Sequence, residues 1–430
     1  MNYQEASAYL DQLQFFKIKL GLETTGQLLA ELDNPQDQLK IIHIAGTNGK
    51  GSVGANLLAI LSSAGYRTGL YSSPHLSSVR ERFQIGADYI TEACFARLVT
   101  RLQAFLADRP APTYFEFTTL LALLWFQDQN TDVVILETGM GGRLDATNVV
   151  TPLVSIITDI SSDHEQYLGT TLTEIAGEKA GIIKPGIPVV FSGRAAETLP
   201  VIRQHCQEKN SPLYIYGQHF SGQSNSKGTL DYRPIDGPLR PNLPLVLAGA
   251  HQAINTSLAL AALELIEASF PVPRQALIEG LHQVRWPGRM ELLTLCAQGK
   301  TVRFLLDGAH NQAGVEALHH TLKHGYPRKR LLLIWGNMVD KQIQPALLQL
   351  IPLTAEIIFT QAESLRSTSP AALYAQLPEP ARVKAGCADT VEQALDMALA
   401  SAGPDDLICV AGSLYLVGRV RQLLRGDLVA

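Results

Sequence analysis

The chain has few cysteines, and none is arranged for chemistry. Cys94, Cys206, Cys296, Cys387 and Cys409 are scattered through 430 residues, odd in number and never spaced as C-x-x-C. That pattern excludes a disulfide framework and a cysteine zinc site. A basic segment leading into an apolar one is also missing. Met1 to Leu20 carries Glu5 and Asp11, so no secretory leader is expected. The longest apolar stretches, 120–126 and 258–263, fall well short of the roughly 18–20 residues that cross a bilayer. Excess positive charge is absent too: 35 Lys and Arg stand against 40 Asp and Glu, a net charge of −5, which leaves no electrostatic footprint for nucleic acid. The expectation is a cytoplasmic, monomeric enzyme of small molecules, with neither nucleic acid nor membrane as partner.

What is present is core. At 46% hydrophobic and 17% charged residues, the chain has the composition of a globular protein, and its length suggests two or three domains. Short β-rich apolar runs alternate with longer helical patterns, the mark of βα units on a mostly parallel sheet. Strands are predicted at 40–44, 68–71, 133–137, 153–158 and 188–191, and helices at 51–64, 92–107, 115–128, 172–183 and 195–208. The Gly-, Ser- and Pro-rich stretch 221–244 reads as short antiparallel hairpins or an irregular excursion, followed by a long helix over 251–269. Arg285-Trp-Pro-Gly-Arg289 breaks the pattern, and strands resume at 303–306, 331–335, 356–359 and 407–410. The fold class expected is α/β with two doubly wound domains. Residues 1–286, which hold the strand, glycine turn and helix start at 41–52, are expected to form a P-loop ATPase-like domain with a mostly parallel sheet, and residues 287–430 a Rossmann-like one.

The strongest local signal is Ile41-Ile-His-Ile-Ala-Gly46-Thr-Asn-Gly49-Lys50-Gly51-Ser52 ahead of a helical pattern. A helix N-terminus after a glycine turn offers unpaired N–H groups and a positive dipole end to phosphate. Lys50 adds a point charge, and the Ser52 hydroxyl suits Mg²⁺. The spacing is not the Walker one: two residues separate Gly46 from Gly49, and Gly51 intervenes between Lys50 and Ser52. Glu137 ends an apolar strand, where a doubly wound sheet presents ligand groups. Read alone, it is equally a Mg²⁺ ligand or a structural partner of Arg143. His43 reads as a packed core histidine. His164 reads as a structural loop residue, Lys179 as a solvated or Glu178-paired lysine, and Asn255 as a polar residue opening a helix.

Beyond the loop, Tyr71-Ser-Ser-Pro-His75, Tyr114-Phe-Glu-Phe117, Leu136-Glu-Thr-Gly-Met-Gly-Gly-Arg-Leu-Asp-Ala-Thr-Asn148, Asp163-His164, Glu178-Lys-Ala-Gly181, Pro287-Gly-Arg289, Asp307-Gly-Ala-His-Asn311 and Gly412-Ser-Leu-Tyr415 follow one another along the chain. In that order, together with Ala45-Gly-Thr-Asn-Gly-Lys-Gly-Ser52, they resemble the Mur ligase superfamily in its dihydrofolate synthase/folylpolyglutamate synthase branch. The resemblance implies ATP and Mg²⁺ as cofactors, with dihydropteroate, reduced folates and L-glutamate as partners. It implies a glutamate ligase working through an acyl phosphate, with the second domain as the glutamate-ligase domain. Carried over residue by residue, it assigns Thr47, Asn48, Gly49, Lys50, Gly51, Ser52, Asn255, Arg289 and Asp307 to ATP. It assigns Ser52, Ser73, Glu137, His164 and Lys179 to metal, with Lys179 as a possible N6-carboxylysine. Thr113, Tyr114, Phe115, Glu116, Leu144, Asp145 and Ala146 fall to the pterin acceptor. His310, Ser413 and Tyr415 fall to glutamate, and Lys50, Lys179 and His310 are the catalytic candidates.

Two departures from the family pattern stand out. Gln312 replaces a common Pro after Asn311, and Lys19, in Lys19-Leu20-Gly21, occupies a substrate-contacting stretch where some members are acidic. A cell-wall Mur ligase is disfavoured because its UDP-binding domain precedes the ATP loop, which here begins by residue 46. A P-loop kinase or GTPase is disfavoured by loop spacing. A non-catalytic nucleotide-binding protein predicts ATP binding without glutamate-dependent phosphate release.

Overall fold

A computed structural model of the chain describes residues 1–13, 21–297, 300–339, 344–361 and 367–425. Lys19 and Leu20 therefore lie outside the described residues. Two compact units emerge. One comprises Met1–His75, Val79–Val246 and Gln252–Arg285, and the other Leu76–Ser78, Leu247–His251 and Trp286–Ala430. The fold is α/β, as the alternation of patterns predicts.

The first unit is built on eight strands: β1 (Ile41–Ala45), β2 (Thr68–Tyr71), β3 (Phe83–Ile85), β4 (Asp88–Tyr89), β5 (Val133–Glu137), β6 (Val154–Ile157), β7 (Val189–Phe191) and β8 (Leu213–Ile215). Their spatial order is β4-β3-β2-β5-β1-β6-β7-β8. The six strands from β2 to β8 pair in parallel, and β3 and β4 add an antiparallel edge. β1 lies at the centre, buried at all five positions, because a strand covered on both faces needs continuous apolar residues rather than alternation. Ile41, Leu136 and Tyr71 share a core cluster with the helices Glu92–Phe105 and Tyr114–Asp128. Ile157, Val189 and Phe191 do the same with the helix Leu172–Ala180. Ile44, Leu70 and Ile135 meet the helix Lys50–Ser63 on the opposite face.

The polar stretch past residue 220 is a three-stranded antiparallel sheet, β9 (Ser221–Ser224), β10 (Leu230–Arg233) and β11 (Arg240–Leu243). The helix that follows runs His251–Leu265, shorter than its apolar pattern suggests. Sequence reading missed β3, β4 and β8, which are short and partly exposed and so carry little periodicity.

The second unit has six strands: β12 (Glu291–Ala297), β13 (Lys300–Leu306), β14 (Leu331–Trp335), β15 (Glu356–Phe359), β16 (Ala385–Cys387) and β17 (Leu407–Ala411). Their order is β12-β13-β17-β14-β15-β16, parallel except for the β12 edge. β17 separates β13 from β14. The helix after β13, Gln312–His324, packs on one face through Val315, Leu318 and Leu322, and the helix after β17, Leu414–Arg425, packs on the other through Leu416, Val417 and Val420. Chain segments leaving neighbouring strands to opposite faces open a crevice at the strand ends, the place where such sheets bind ligands.

One helix contact of the first unit is set by a missing side chain. Gly280, in the helix Arg274–Gln283, abuts the helix Lys50–Ser63 so closely that a Cβ would lie 2.5 Å from Ile60 Cα and 2.9 Å from Ala59 O. Alanine gains up to about 1 kcal/mol of helix propensity over glycine, whereas overpacking against unyielding backbone costs about 1–3 kcal/mol. Gly280→Ala is therefore expected to lower the midpoint of thermal unfolding. An unchanged or raised midpoint would show that the two helices separate freely.

Candidate functional site

The carboxyl ends of β5, β1 and β6 lie side by side, and the loop after β1 is held by the segment that follows β6. Thr158 donates through Oγ1 to Asn48 O at 2.8 Å, and Thr47 N donates to Asp159 O at 2.7 Å. Thr47 Oγ1 donates to Ser161 O at 2.9 Å, and Asn48 Nδ2 to Ser161 Oγ at 3.2 Å. Gly49 has φ +92°, and a Cβ there would sit 2.6 Å from Asn255 Oδ1. Only glycine takes that conformation at no cost while leaving room for Asn255. Lys50 opens the helix Lys50–Ser63 and arches back, donating to Gly46 O at 2.9 Å and Thr47 O at 3.3 Å.

The loop's carboxylate partner is Glu137. Its Oε1 stands 3.9 Å from Lys50 Nζ, and its Oε2 accepts from Ser73 N at 3.4 Å. Arg143, the alternative partner in the sequence, pairs with Glu178 at 2.7 Å instead. Glu137 thus stands beside the loop lysine, and the Glu178 carboxylate is engaged by Arg143. Lys179 is buried, 2% exposed. Desolvation is the main reason its pKa falls to about 7; Lys50 lowers it further, while Asp163, Asp159 and Asp145 pull the other way.

Ser52 is buried and accepts from Gln252 Nε2 at 3.2 Å, and Gln252 Oε1 accepts from Asn255 Nδ2 at 3.0 Å. Gln252, Thr158, Ser161 and Asp159 were not singled out from the sequence. The last three follow an apolar strand directly, which is the signal that identifies Glu137. Gln252 has no comparable signal. His164 is in left-handed conformation before the short helix Glu165–Leu168, with its ring 3.9 Å from Asp163 and 38% of its side chain exposed.

The acceptor candidates divide by role. Thr113 and Glu116 form a capping box for the helix Tyr114–Asp128, each side chain bound to the other's backbone N–H. Tyr114 lies under the Arg82 guanidinium, 5.2 Å from its ring centre, and Arg82 also donates to His75 Nδ1 at 2.9 Å. Phe115 is half-buried beside Tyr71, with ring centres 5.9 Å apart. Leu144 is half-buried and Ala146 buried, on either side of the buried Asp145.

In the second unit Asp307 directly follows β13 and accepts from Met290 N at 2.8 Å and Ala309 N at 2.9 Å. Burial raises its pKa, against the opposing charge of Arg289. The carboxylate thus holds the Gly288–Met290 turn. His310 Nδ1 lies 2.7 Å from Gly308 O; a carbonyl only accepts, so Nδ1 carries the proton and Nε2 is the basic nitrogen. Asn311 caps the helix Gln312–His324. Ser413 is buried and accepts from Tyr415 N at 3.2 Å at the start of the helix Leu414–Arg425, with Tyr415 half-buried.

The residues fit the groups implied for them. The loop and helix start give a phosphate its N–H donors and a cation. Ser52, Ser73 and Glu137 offer only oxygen, the donor set of a hard cation such as Mg²⁺. Among the described residues, no cluster of three or more His, Cys, Asp or Glu side chains makes a cage that could hold a metal by itself. A phosphate-bound Mg²⁺ needs no such cage.

Fold and site together define an ATP-dependent ligase class, with a phosphate-loop α/β unit followed by a Rossmann-like one. Comparison with known families is consistent along the chain: residues 44–263 match the Mur ligase middle domain, and residues 288–414 the Mur ligase glutamate ligase domain. A Bacillus subtilis protein named dihydrofolate synthase/folylpolyglutamate synthase is 32% identical over 98% of this chain and 99% of its own. An E. coli FolC structure in complex with DHPP and ADP superposes with a TM-score of 0.88 at 31% identity, covering 98% of this chain and 97% of that one. A bifunctional folylpolyglutamate synthase/dihydrofolate synthase with Mn, AMPPNP and L-glutamate bound gives 0.86 at 32%, covering 97% and 98%. The chain belongs to the Mur ligase family, in its dihydrofolate synthase/folylpolyglutamate synthase branch.

The Lys179 environment makes a prediction about stability. Unfolded, the amine keeps its proton up to about pH 10.5, and folded only up to about 7. Between those values the unfolded state binds more protons, so this group makes stability rise with pH across that window. Below pH 7 the cost of burying the charge is present in full. Lys179→Met is thus expected to raise the melting temperature at pH 6, with the gain shrinking toward pH 10. A gain that does not change with pH would place the amine in water.

Proposed function

We infer that this chain is an ATP- and Mg²⁺-dependent ligase that adds L-glutamate to dihydropteroate, to the glutamate tail of reduced folates, or to both. The observation that carries this reading is the pairing at the strand ends. A loop shaped for phosphate, its lysine and a carboxylate suited to a metal ion converge within 4 Å. The chain that carries it is 32% identical over 98% of its length to a protein named dihydrofolate synthase/folylpolyglutamate synthase.

The reaction needs two transfers. An oxygen of the acceptor carboxylate attacks the γ-phosphorus of ATP, giving an acyl phosphate and releasing ADP. The deprotonated amine of glutamate then adds to the activated carbonyl. The carbonyl–phosphate C–O bond breaks, phosphate leaves, and the amide forms. The protein's part is positioning and charge stabilisation rather than covalent chemistry. Backbone N–H groups of Thr47 to Ser52 and the Lys50 ammonium hold the phosphates. Mg²⁺, when bound, neutralises phosphate charge, with Ser52, Ser73 and Glu137 as its ligands and His164 and a carboxylated Lys179 as further candidates. Asn255 serves ATP beside the loop of the first unit, and Arg289 and Asp307 are the ATP candidates of the second. Thr113 to Glu116 and Leu144 to Ala146 serve the pteridine acceptor. His310 Nε2 is suited to take the proton of the glutamate ammonium, with Ser413 and Tyr415 on the same substrate. A cytoplasmic location belongs to this reading, and no helix among the described residues is long and apolar enough to cross a membrane.

The test is phosphate release from ATP and Mg²⁺ with glutamate and either dihydropteroate or a reduced folate. Release that requires both glutamate and at least one acceptor is expected. ATP binding without such release would leave a nucleotide-binding protein and remove the ligase. Carboxylation of Lys179 has its own test, since only a neutral amine captures CO₂ and a pKa near 7 makes that form abundant. Lys179→Ala should lose most activity and recover part of it with acetate or formate; a fully active variant would refute the carbamate.

A further inference from the structure

Asp145 lies in the loop carrying Leu144–Ala146, and its carboxylate is buried with donors on both oxygens. Oδ1 accepts from Thr147 N at 3.0 Å and from Thr147 Oγ1 at 2.6 Å. Oδ2 accepts from Met140 N at 2.8 Å, and Gly139 N adds a further donor. These bonds tie the two ends of the Gly139–Thr147 loop together.

The Thr147 hydroxyl has a second neighbour. His43 Nε2 lies 2.9 Å from Thr147 Oγ1. A hydroxyl has one proton, and the short contact to a carboxylate claims it, so Thr147 meets His43 with a lone pair. His43 Nε2 must therefore be the donor. Its Nδ1 is then a bare acceptor, and it is buried with no hydrogen-bond partner among the described residues. Burial holds the ring neutral, with a pKa near 3. An orphaned buried ring nitrogen costs stability, because the water it gave up is not replaced. A leucine or valine in the centre of β1 would avoid it. The imidazole is instead kept three residues before Gly46, on the strand that leads into the phosphate loop.

We propose that His43 is a positioning residue for the acceptor: its Nε2–H, relayed through the Thr147 hydroxyl to the Asp145 carboxylate, holds the Gly139–Thr147 loop in the shape that receives the pteridine. The proposal rests on the acceptor role inferred above for Leu144–Ala146. The two bonds run in one direction, from His43 through Thr147 to the accepting Asp145 carboxylate, so each polarises the next. The chain also joins the strand of the phosphate loop to the loop of the acceptor, two segments about 100 residues apart in sequence. His43 touches neither substrate, and its effect is on the acceptor alone.

The closing experiment measures steady-state KM for dihydropteroate, for a reduced folate and for ATP in His43→Leu, His43→Gln and Thr147→Val. Leucine removes the donor and the orphaned acceptor together, so the variant should stay folded. Glutamine places an amide N–H near the position of Nε2. Expected are an acceptor KM raised about five- to tenfold in the leucine variant, an ATP KM within about twofold of the parent, and return toward parental values with glutamine. Thr147→Val should raise the acceptor KM like the leucine variant, and the double variant should add little to either. An acceptor KM unchanged in both single variants would overturn the proposal, as would an ATP KM rising in step with it. A folded glutamine variant as impaired as leucine would overturn it too. Nitrogen NMR of the unsubstituted protein gives a reading independent of turnover: an Nε2-protonated ring with an unbonded Nδ1 is expected, and an Nδ1-protonated ring overturns the relay. Absence of parental turnover with either acceptor would count against the ligase reading and leave the ring assignment standing.

Discussion

Charges withdrawn from water at the ends of three parallel strands set the terms for the first unit. Lys50 and Glu137 keep only 13% and 6% of their side chains exposed, and Lys179 is more deeply buried. Taking such ions out of water costs several kcal/mol each, and a buried pair repays that only with good geometry and extra hydrogen bonds. Lys50 meets the condition with two loop carbonyls as well as Glu137. Lys179 meets it differently, by giving up its proton more readily. A protein selected for stability alone would place apolar residues at these positions. Keeping ionisable groups there makes sense for a site that must receive a highly charged ligand without a basic surface. Net charge −5 is no obstacle to a polyanion when cation and N–H groups are local.

The readable part of the chain was the part whose physics is local. A strand, a glycine turn and a helix start require particular residues within a dozen positions, so the phosphate loop could be identified from composition and spacing. Continuous apolar runs likewise identified the central strands. What was not legible joins distant positions. Gln252 reaches Ser52 across 200 residues. The choice of Arg143 for Glu178 over Glu137 depends on how the Gly139–Thr147 loop meets the helix Leu172–Ala180, which no spacing rule reports. The short unit-two segments Leu76–Ser78 and Leu247–His251 are equally invisible to a linear reading. Ser77 donates to Gly418 O at 3.0 Å, and such a contact exists only once the chain has folded.

Gln312 illustrates a departure that folding explains. It stands at the first position of the helix Gln312–His324, immediately after the Asn311 cap. Proline is favoured there because the missing N–H would be unpaired and its φ is already helical. Any residue with a helical φ fills the position at small cost, and Asn311 still caps Gly314 N at 2.9 Å. The replacement leaves the Asp307–Asn311 turn intact, because Asp307 holds that turn through Ala309 N and ties it to Met290 N, with no contribution from the residue that follows.

The same distinction runs through the site. Thr113 and Glu116 cap a helix, Asp145 closes a loop, Asp307 holds a turn, and Ser413 starts a helix. Each was a candidate for contact with substrate or ATP, and each engages backbone N–H groups that shape the loop or helix end it belongs to. Such roles are not rivals to function in a ligase of this kind. The two transfers it performs are accelerated chiefly by bringing carboxylate, phosphate and amine together in line, so an ångström of drift in a loop is a loss of rate. Residues that fix loops at strand ends then become as necessary as those that touch phosphate. A motif such as Leu136 to Asn148 combines both kinds: Glu137 faces the loop lysine, while Asp145 and Thr147 keep the segment behind it in shape. The collinear motifs of this family mark, on this argument, a set of backbone shapes at strand ends as much as a set of ligand contacts.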